Sequence, residues 1–151
     1  MPVTSAGLLL FRRGAAGLEV LLAHPGGPYW ARRDDGAWTI PKGELHPGED
    51  PLAGALREFQ EETGGTPAGP YASIGEVRLK SGKRVLGWAC EGDFDPRALR
   101  CNLFEVEWPP RSGRRQQYPE IDRVGWFTPD EARRKLLPAQ VPFIDRLVPP
   151  A

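Results

Sequence analysis

Short apolar runs separated by turn residues dominate the N-terminal part of the chain. Residues 6–12 and 18–23 are rich in aliphatic side chains and flank a Gly- and Ala-containing loop at 14–17. This pattern predicts a strand, a loop and a second strand. Residues 25–36 follow as a turn-rich loop with four charged side chains. We therefore expect the chain to begin with β-structure.

The pattern changes to helical periodicity after a polar segment. Residues 38–40 predict a short strand, and residues 42–50 predict a loop because they contain almost no apolar side chain. Residues 51–63 predict a helix, since Asp50 suits the N-cap and a proline occupies the first helical position, where its missing N–H costs nothing. The Gly-Gly pair at 64–65 predicts the C-terminal end of this helix.

The second half of the chain predicts more strands and two short helices. Four segments predict strands, the first two joined into a hairpin by a Ser-Gly-Lys turn: 73–80, 84–91, 104–108 and 123–127. Residues 109–120 predict a polar loop. A capping box at Thr128 predicts a helix through about Leu136, and residues 141–147 predict another. The expected architecture is a mixed sheet with helices packed on it, of the α/β or the α+β class.

Composition bounds the domain count and the partners. At 151 residues the chain is expected to form a single domain, 1–151. Lys plus Arg and Asp plus Glu both number 20, so bulk charge does not favour a nucleic acid polymer or an anionic membrane surface. The N-terminal apolar run is too short to span a membrane and lacks the order of a signal peptide, which predicts a soluble, cytoplasmic protein. Cys90 and Cys101 are expected to be reduced thiols, with one disulfide between neighbouring strands as the alternative.

Three carboxylates share one face of the predicted helix at 51–63. Glu58, Glu61 and Glu62 fall on one stripe, because steps of three and four residues return to the same face. Such a cluster repels itself unless a cation lies among its members, and Mg²⁺ or Mn²⁺ prefers carboxylate oxygens. Arg57 lies one turn before Glu61 and can orient that carboxylate. The alternative is a solvated acidic face; a di-iron site is disfavoured because neither histidine lies on this helix.

The loop before the helix favours the metal interpretation. It adds a glycine whose backbone can approach a ligand closely, and a further carboxylate. The combined pattern resembles the Nudix box: Gly43, five residues, Glu49, seven residues, and then Arg57-Glu58-Phe59-Gln60-Glu61-Glu62-Thr63-Gly64. These identities arise by chance in about one sequence per million. The family usually has an aliphatic residue next, where this chain has Gly65, a departure that touches no carboxylate.

The resemblance implies a fold, a reaction and a cofactor. Nudix proteins have an α/β/α sandwich with a mixed sheet, and Nudix enzymes use a divalent cation, here Mg²⁺ or Mn²⁺, to hydrolyse a nucleoside diphosphate linked to another group. Glu58 and Glu62 are expected to be the principal metal ligands, while Glu61 shares a metal or activates water. Glu49 is expected to support the metal cluster, and the backbone carbonyl of Gly43, or of the lysine before it, to add a ligand.

The resemblance leaves the catalytic base open between two carboxylates. Glu61 can activate water from the helix, with Arg57 holding its orientation. Glu120, six residues before Trp126, lies where some Nudix proteins keep a functional carboxylate; its alternative is an ordinary surface turn. Glu105 is a weaker candidate, because a carboxylate on a strand can simply face solvent.

Candidate substrate contacts are basic side chains on either side of the box. Arg111, Arg114 and Arg115 form the densest basic cluster, and they either bind substrate phosphates through planar guanidinium donors or form a solvated loop. Lys42 is a candidate phosphate contact beside the metal.

Aromatic side chains offer a second kind of substrate contact. Tyr29 and Trp30 lie in the turn-rich loop at 25–36 and are the candidate platform for stacking on a base. Trp38, Trp88 and Trp126 are instead expected to pack in the hydrophobic core.

The substrate class is narrowed but not fixed. The segments at 6–13, 38–43 and 47–50 are similar to those of the diadenosine polyphosphate hydrolases, which favours a small-molecule nucleotide, a dinucleoside polyphosphate or a (d)NTP. Those enzymes tend to have a tyrosine past the box, where this chain has Ser81-Gly82. The competing hypothesis is a Nudix-like module that senses a nucleotide without hydrolysing it. The four box carboxylates are intact, which favours the enzyme.

Overall fold

The two aliphatic runs near the N-terminus form the centre of the sheet. A computed structural model describes residues 3–15 and 17–148; residue 16 of the first predicted loop and both ends of the predicted domain lie outside the described residues. The strands β1 (Thr4–Gly14) and β2 (Gly17–Pro25) pair antiparallel. The predicted strand, loop and strand are therefore present, with each strand longer than the apolar run that predicted it.

The remaining strands surround this pair. They are β3 (Lys42–Glu44), β4 (Tyr71–Arg78), β5 (Arg84–Glu91), β6 (Leu103–Glu107), β7 (Arg115–Pro119) and β8 (Ile121–Phe127). The main sheet has the order β4-β5-β1-β2-β8, with β3 paired to the start of β1. β1 runs parallel to β5 and antiparallel to its other partners, so the sheet is mixed. β6 and β7 form a separate two-stranded sheet.

Helices cover both faces of the main sheet. They are α1 (Pro51–Thr63), α2 (Pro129–Lys135) and α3 (Val141–Leu147). Along β1, Leu8 and Leu10 pack in one buried cluster with Phe59 of α1, whereas Leu9 packs in a second cluster with Phe143 of α3. This alternation is the period of a strand buried on both faces. The α/β/α sandwich with a mixed sheet is confirmed.

The helix that carries the box has the predicted ends. The Asp50 side chain accepts a hydrogen bond from the Ala53 N–H (3.0 Å), which satisfies an otherwise unpaired donor of the first turn. Gly64 ends the helix in the left-handed conformation, with φ of 84°, where a side chain would be strained. No helix among residues 3–15 and 17–148 is long and apolar enough to cross a membrane.

Three predicted segments differ from the structure. Residues 38–40 form isolated single-residue bridges, not a strand, because Thr39 pairs with Ala23 on one side while Trp38 pairs with Leu136 on the other. The predicted loop at 42–50 begins with β3, and the predicted loop at 109–120 contains β7. Both strands are polar and are held by backbone hydrogen bonds, which leave no trace in the hydrophobic pattern.

The cysteines and tryptophans sit largely as expected. Cys90 and Cys101 are both free thiols, so no disulfide joins neighbouring strands. Trp38 is buried, while Trp88 and Trp126 are half-buried against the cluster beneath α1.

Candidate active site

Arg57 lies at the centre of the box carboxylates. Its Nε and Nη2 donate to the two carboxylate oxygens of Glu49 at 2.8 and 3.0 Å, a bidentate pair. Its Nη1 donates to Glu58 at 2.8 Å and to both oxygens of Glu61 at 3.2 Å. Hydrogen bonds from Arg57 and from the backbone lower the pKa of Glu49 to about 2, and the same carboxylates raise the pKa of Arg57. One guanidinium therefore fixes three carboxylates at the surface of α1.

Glu62 has a different environment from its neighbours. Its side chain is 5% exposed, and Oε1 accepts a hydrogen bond from the Lys42 N–H at 2.9 Å. Burial raises the pKa of Glu62 to about 8, and the carboxylates of Glu58 and Glu120 act in the same direction. A buried carboxyl group faced by two more carboxylates is a place where a positive charge would be stabilised.

The box glycine is required by close packing. A Cβ at Gly43 would overlap the Glu58 carboxylate, so a side chain here would displace that carboxylate, whereas glycine leaves it in place. The backbone of residue 43 and the carboxylate of Glu58 are thereby brought together. The preceding Lys42 is half-buried, and burial together with nearby Lys83 lowers the pKa of its ammonium group.

Glu120 reaches this cluster from a distant part of the chain. It lies between β7 and β8, and burial together with the negative charges of Glu58 and Glu61 raises its pKa. Its backbone carbonyl accepts a hydrogen bond from the Gly26 N–H at 2.8 Å. Its side chain is exposed at the bend between the two strands, and it lies close enough to Glu58 and Glu61 for their charges to act on it. Glu105, the weaker candidate, instead pairs with Arg115 across the two-stranded sheet at 2.8 Å.

An aromatic cavity of about 510 Å³ opens beside Glu120. It is lined by the loop that follows β2, by one face of β6 and by Glu120 itself: Pro25, Gly26, Gly27, Pro28, Tyr29, Trp30, Phe104, Val106, Trp108 and Glu120. The predicted stacking pair, Tyr29 and Trp30, is present, with ring centroids 4.9 Å apart in an edge-to-face arrangement. Glu120 lines the cavity and also lies near Glu58 and Glu61, so the cavity adjoins the carboxylates of the box.

Sequence reasoning missed the second wall of this cavity. Phe104, Val106 and Trp108 alternate along β6 and its end, so they share one face of that strand. The residues were predicted to form a strand but were not assigned a role. Charged residues alternate with these three apolar side chains in the sequence, and this pattern indicates a strand with one apolar face.

The basic cluster is exposed at the turn between β6 and β7. Arg111 and Arg114 lie in the connection, and Arg115 begins β7, where its guanidinium is paired with Glu105. Arg111 has a φ of 62°, in the left-handed region that is uncommon for a residue with a side chain. The hairpin that carries the cavity wall therefore also carries this positive charge.

The carboxylates converge on Arg57 and not on a common point. Within residues 3–15 and 17–148, no three His, Cys, Asp or Glu side chains are already grouped as a set that could hold a metal ion. The hydrogen bonds of Arg57 to Glu49, Glu58 and Glu61 account for this arrangement. The donor set itself, carboxylate oxygens beside a backbone carbonyl, is of the kind that hard divalent cations prefer.

Comparison with known proteins decides the family. The family model described as NUDIX domain matches residues 1–147. The chain belongs to the Nudix family. The residues that carry the box, from Gly43 to Gly64, lie within this match.

Named relatives of this Nudix chain are hydrolases. The bis(5'-nucleosyl)-tetraphosphatase [asymmetrical] of Rattus norvegicus is 34% identical over 110 residues, which cover 63% of this chain and 69% of the relative. The 8-oxo-(d)GTP phosphatase of Mycolicibacterium smegmatis is 32% identical over 139 residues, 81% of this chain, and the match spans only 40% of that relative. The chain is a Nudix hydrolase of the pyrophosphohydrolase class.

The fold of this chain is similar to that of solved Nudix structures. The crystal structure of a C. elegans Ap4A hydrolase binary complex superposes with a TM-score of 0.65 at 21% identity, covering 95% of this chain and 94% of that one. This likeness confirms the Nudix fold.

Proposed function

We propose that this Nudix hydrolase, acting as a single domain, cleaves a phosphoric anhydride bond in a nucleotide, with a dinucleoside polyphosphate or a (d)NTP as substrate. The observation that carries the proposal is the junction at Glu120, where the carboxylates of the box adjoin an aromatic cavity. Relatives named as a tetraphosphatase and as an 8-oxo-(d)GTP phosphatase support these two substrate classes.

We assign the divalent cation, Mg²⁺ or Mn²⁺, to the carboxylates of α1. The proposed ligands are Glu58, Glu61 and Glu62 with the backbone carbonyl of Gly43, while Glu49 supports them through Arg57. The raised pKa of buried Glu62 and the contact of Gly43 with Glu58 support this fit. When bound, the cation supplies charge neutralisation at the phosphate oxygens. Arg57 orients the carboxylates, and it must release some of its hydrogen bonds when they bind the cation.

We assign the proton transfer to Glu120 rather than Glu61. Glu61 is paired with Arg57, whereas burial and the nearby charges of Glu58 and Glu61 raise the pKa of Glu120. A carboxylate with a raised pKa is a stronger base and can accept the proton of an attacking water at its Oε. Its position at the edge of the cavity supports contact with the reacting phosphate.

The cavity and the basic side chains are assigned to substrate binding. Tyr29 and Trp30 on one wall and Trp108 on the other can stack on a base, since aromatic stacking is largely independent of base identity. Exposed Arg111 and Arg114 are the proposed phosphate contacts of the hairpin. Lys42 and Arg115 are assigned weaker phosphate contacts, because Lys42 is half-buried and Arg115 is paired with Glu105.

The test is a product screen with purified protein in Mg²⁺ or Mn²⁺. The panel contains dinucleoside polyphosphates, (d)NTPs, ADP-ribose and nucleotide sugars, each assayed with and without a chelator. We expect turnover of a dinucleoside polyphosphate or a (d)NTP that stops on chelation. Binding of these nucleotides without product release would favour the sensing module over the enzyme.

A further inference from the structure

The aromatic wall of the cavity stands on a loop outside the sheet. Tyr29 and Trp30 belong to the segment 26–36, which we call the aromatic loop, and Tyr29 is 56% exposed. An exposed ring on a loop binds a base well only when its orientation is fixed before the base arrives, because ordering it on binding reduces the affinity. The contacts that fix this wall therefore affect substrate binding.

Arg33 holds both rings from the same loop. Its guanidinium carbon lies 4.3 Å from the centroid of the Tyr29 ring and 5.9 Å from that of Trp30, within the range of cation–π attraction. Its Nε also donates to the Tyr29 carbonyl at 3.3 Å. One exposed arginine thus connects the two rings with the end of the loop.

The backbone of Arg33 is in turn attached to the sheet. Its carbonyl is hydrogen-bonded to Nε2 of His24 at 2.6 Å, and Nδ1 of His24 lies 2.8 Å from Oδ1 of Asp122 on β8. His24 is fully buried near the end of β2. A fixed contact therefore runs from β8, through the His24 ring, to the residue that holds the aromatic wall.

The two partners of His24 determine the orientation of its ring. A backbone carbonyl oxygen faces Nε2 and a carboxylate oxygen faces Nδ1, so both edges of the ring are held in place. The surrounding groups are Asp122 and Arg123 from β8 and the Trp38 ring, which meets the His24 ring edge-on at 5.1 Å. Arg123 is itself 3.8 Å from Asp122 and lies over Trp38. The buried His24 ring thus lies between the Asp122 carboxylate and the Arg33 carbonyl.

We propose that His24, Asp122 and Arg33 form a positioning relay that fixes the Tyr29–Trp30 wall for the nucleotide base. Asp122 orients the His24 ring, that ring contacts the Arg33 carbonyl, and the Arg33 side chain packs on the rings of Tyr29 and Trp30. The inference rests on the proposed function for the identity of the ligand. None of the three residues touches the reacting phosphate, so the relay acts on binding and not on bond cleavage.

Steady-state kinetics with diadenosine tetraphosphate and Mg²⁺ test the relay through Arg33→Ala. The change removes an exposed cation–π contact, so KM should rise about 2- to 5-fold while kcat stays within about 2-fold. Arg32→Ala, an exposed arginine of the same loop, is the matched control and should leave both constants unchanged. An Arg33→Ala enzyme with unchanged KM, or with kcat reduced instead, overturns the proposal.

The buried part of the relay is tested by one variant of His24 and one of Asp122. His24→Phe keeps a planar ring but loses both hydrogen bonds, and it should raise KM about 10-fold. Asp122→Ala removes the carboxylate that faces Nδ1 but keeps the contact of His24 with the Arg33 carbonyl, so it should raise KM less, about 2- to 5-fold. Equal KM values in His24→Phe and the wild type contradict the relay.

One measurement on the protein does not need turnover. Amide hydrogen exchange in residues 26–36 should be faster in Arg33→Ala and His24→Phe. If the screen finds no hydrolysis, the proposed function fails while this reading still decides the relay: unchanged exchange in both variants overturns it.

Discussion

The carboxylate cluster and the aromatic cavity are built in opposite ways. The cluster comes from one continuous stretch, residues 43–62, and its members are joined by the hydrogen bonds of Arg57. The cavity is assembled from the loop after β2, the face of β6 and Glu120, and it is largely apolar. The comparison shows that the carboxylate cluster is encoded locally, whereas the proposed substrate-binding surface depends on how distant segments meet.

The two regions should therefore respond differently to mutation. A group that acts only on the reacting phosphate changes kcat, whereas a group that binds the base equally before and during reaction changes KM. Glu120 lies in both regions, so a variant of Glu120 is the strictest test of whether effects on kcat and on KM separate.

The largest effect is expected from Glu120→Gln. Loss of a catalytic base reduces kcat about 100- to 10,000-fold. A base must be deprotonated, so wild-type kcat/KM should fall as the pH drops below the pKa of Glu120, which burial and the carboxylates of Glu58 and Glu61 raise above its ordinary value near 4.5. The variant should lose this acid limb, which pH–rate profiles measure. Retention of both the limb and the rate would assign the proton transfer to Glu61.

A smaller loss is expected from Gly43→Ala. The new Cβ would overlap the Glu58 carboxylate and displace it, and a shift of about 1 Å in a catalytic group costs roughly 100-fold in kcat. Circular dichroism should show an intact fold, because the new Cβ on β3 meets only the flexible end of the Glu58 side chain. An enzyme with normal kcat would show that the position of Glu58 does not matter.

The cavity is tested by Trp108→Ala. Loss of one stacking ring should raise KM about 10-fold with little change in kcat. Leu103→Ala is the matched control, because Leu103 lies on the same strand, is 58% exposed and does not line the cavity. A fall in kcat with constant KM would contradict the division between the two regions.

The contrast between the regions also explains what the sequence could predict. The helix over 51–63, its N-cap and its C-terminal glycine follow from local spacing, and the structure has all three. The clustering of Glu58, Glu61 and Arg57 follows from helical periodicity for the same reason. Local geometry fixes these features before any tertiary contact forms.

The features that the sequence did not predict depend on tertiary contacts. The polar strand β3 is held by backbone hydrogen bonds to β1, which lies far away along the chain. The role of Phe104 and Trp108 needs the two-stranded sheet to stand opposite the loop after β2. Glu62 is buried and accepts a hydrogen bond from the Lys42 N–H because β3 packs on α1. None of these pairings has a local signature.

The smallest effect is expected from Asp34→Asn, which loosens the loop of the cavity without touching its wall. Asp34 accepts hydrogen bonds from Lys135 at 2.6 Å and from the Trp38 indole at 2.8 Å, which lower its pKa. A lowered folded-state pKa gives stability that is present above the ordinary value near 3.8 and is lost as the pH falls through the folded-state pKa.

Thermal unfolding at several pH values measures this contribution. The variant should have a Tm about 2 °C below the wild type at pH 7, and the difference should shrink below pH 4. A difference that is constant across this range would mean that the charge of Asp34 does not contribute.

The most direct test of the metal-dependent mechanism compares product formation by the wild type and Glu62→Gln in saturating Mg²⁺. The substitution keeps the shape of the side chain and removes the buried negative charge. With the substrate identified in the screen, we expect kcat of Glu62→Gln to fall about 1000-fold, with an unchanged circular dichroism spectrum and no further loss on chelation. A folded Glu62→Gln enzyme with a near-normal, chelator-sensitive rate would contradict the assignment of the carboxylate cluster as the reacting centre.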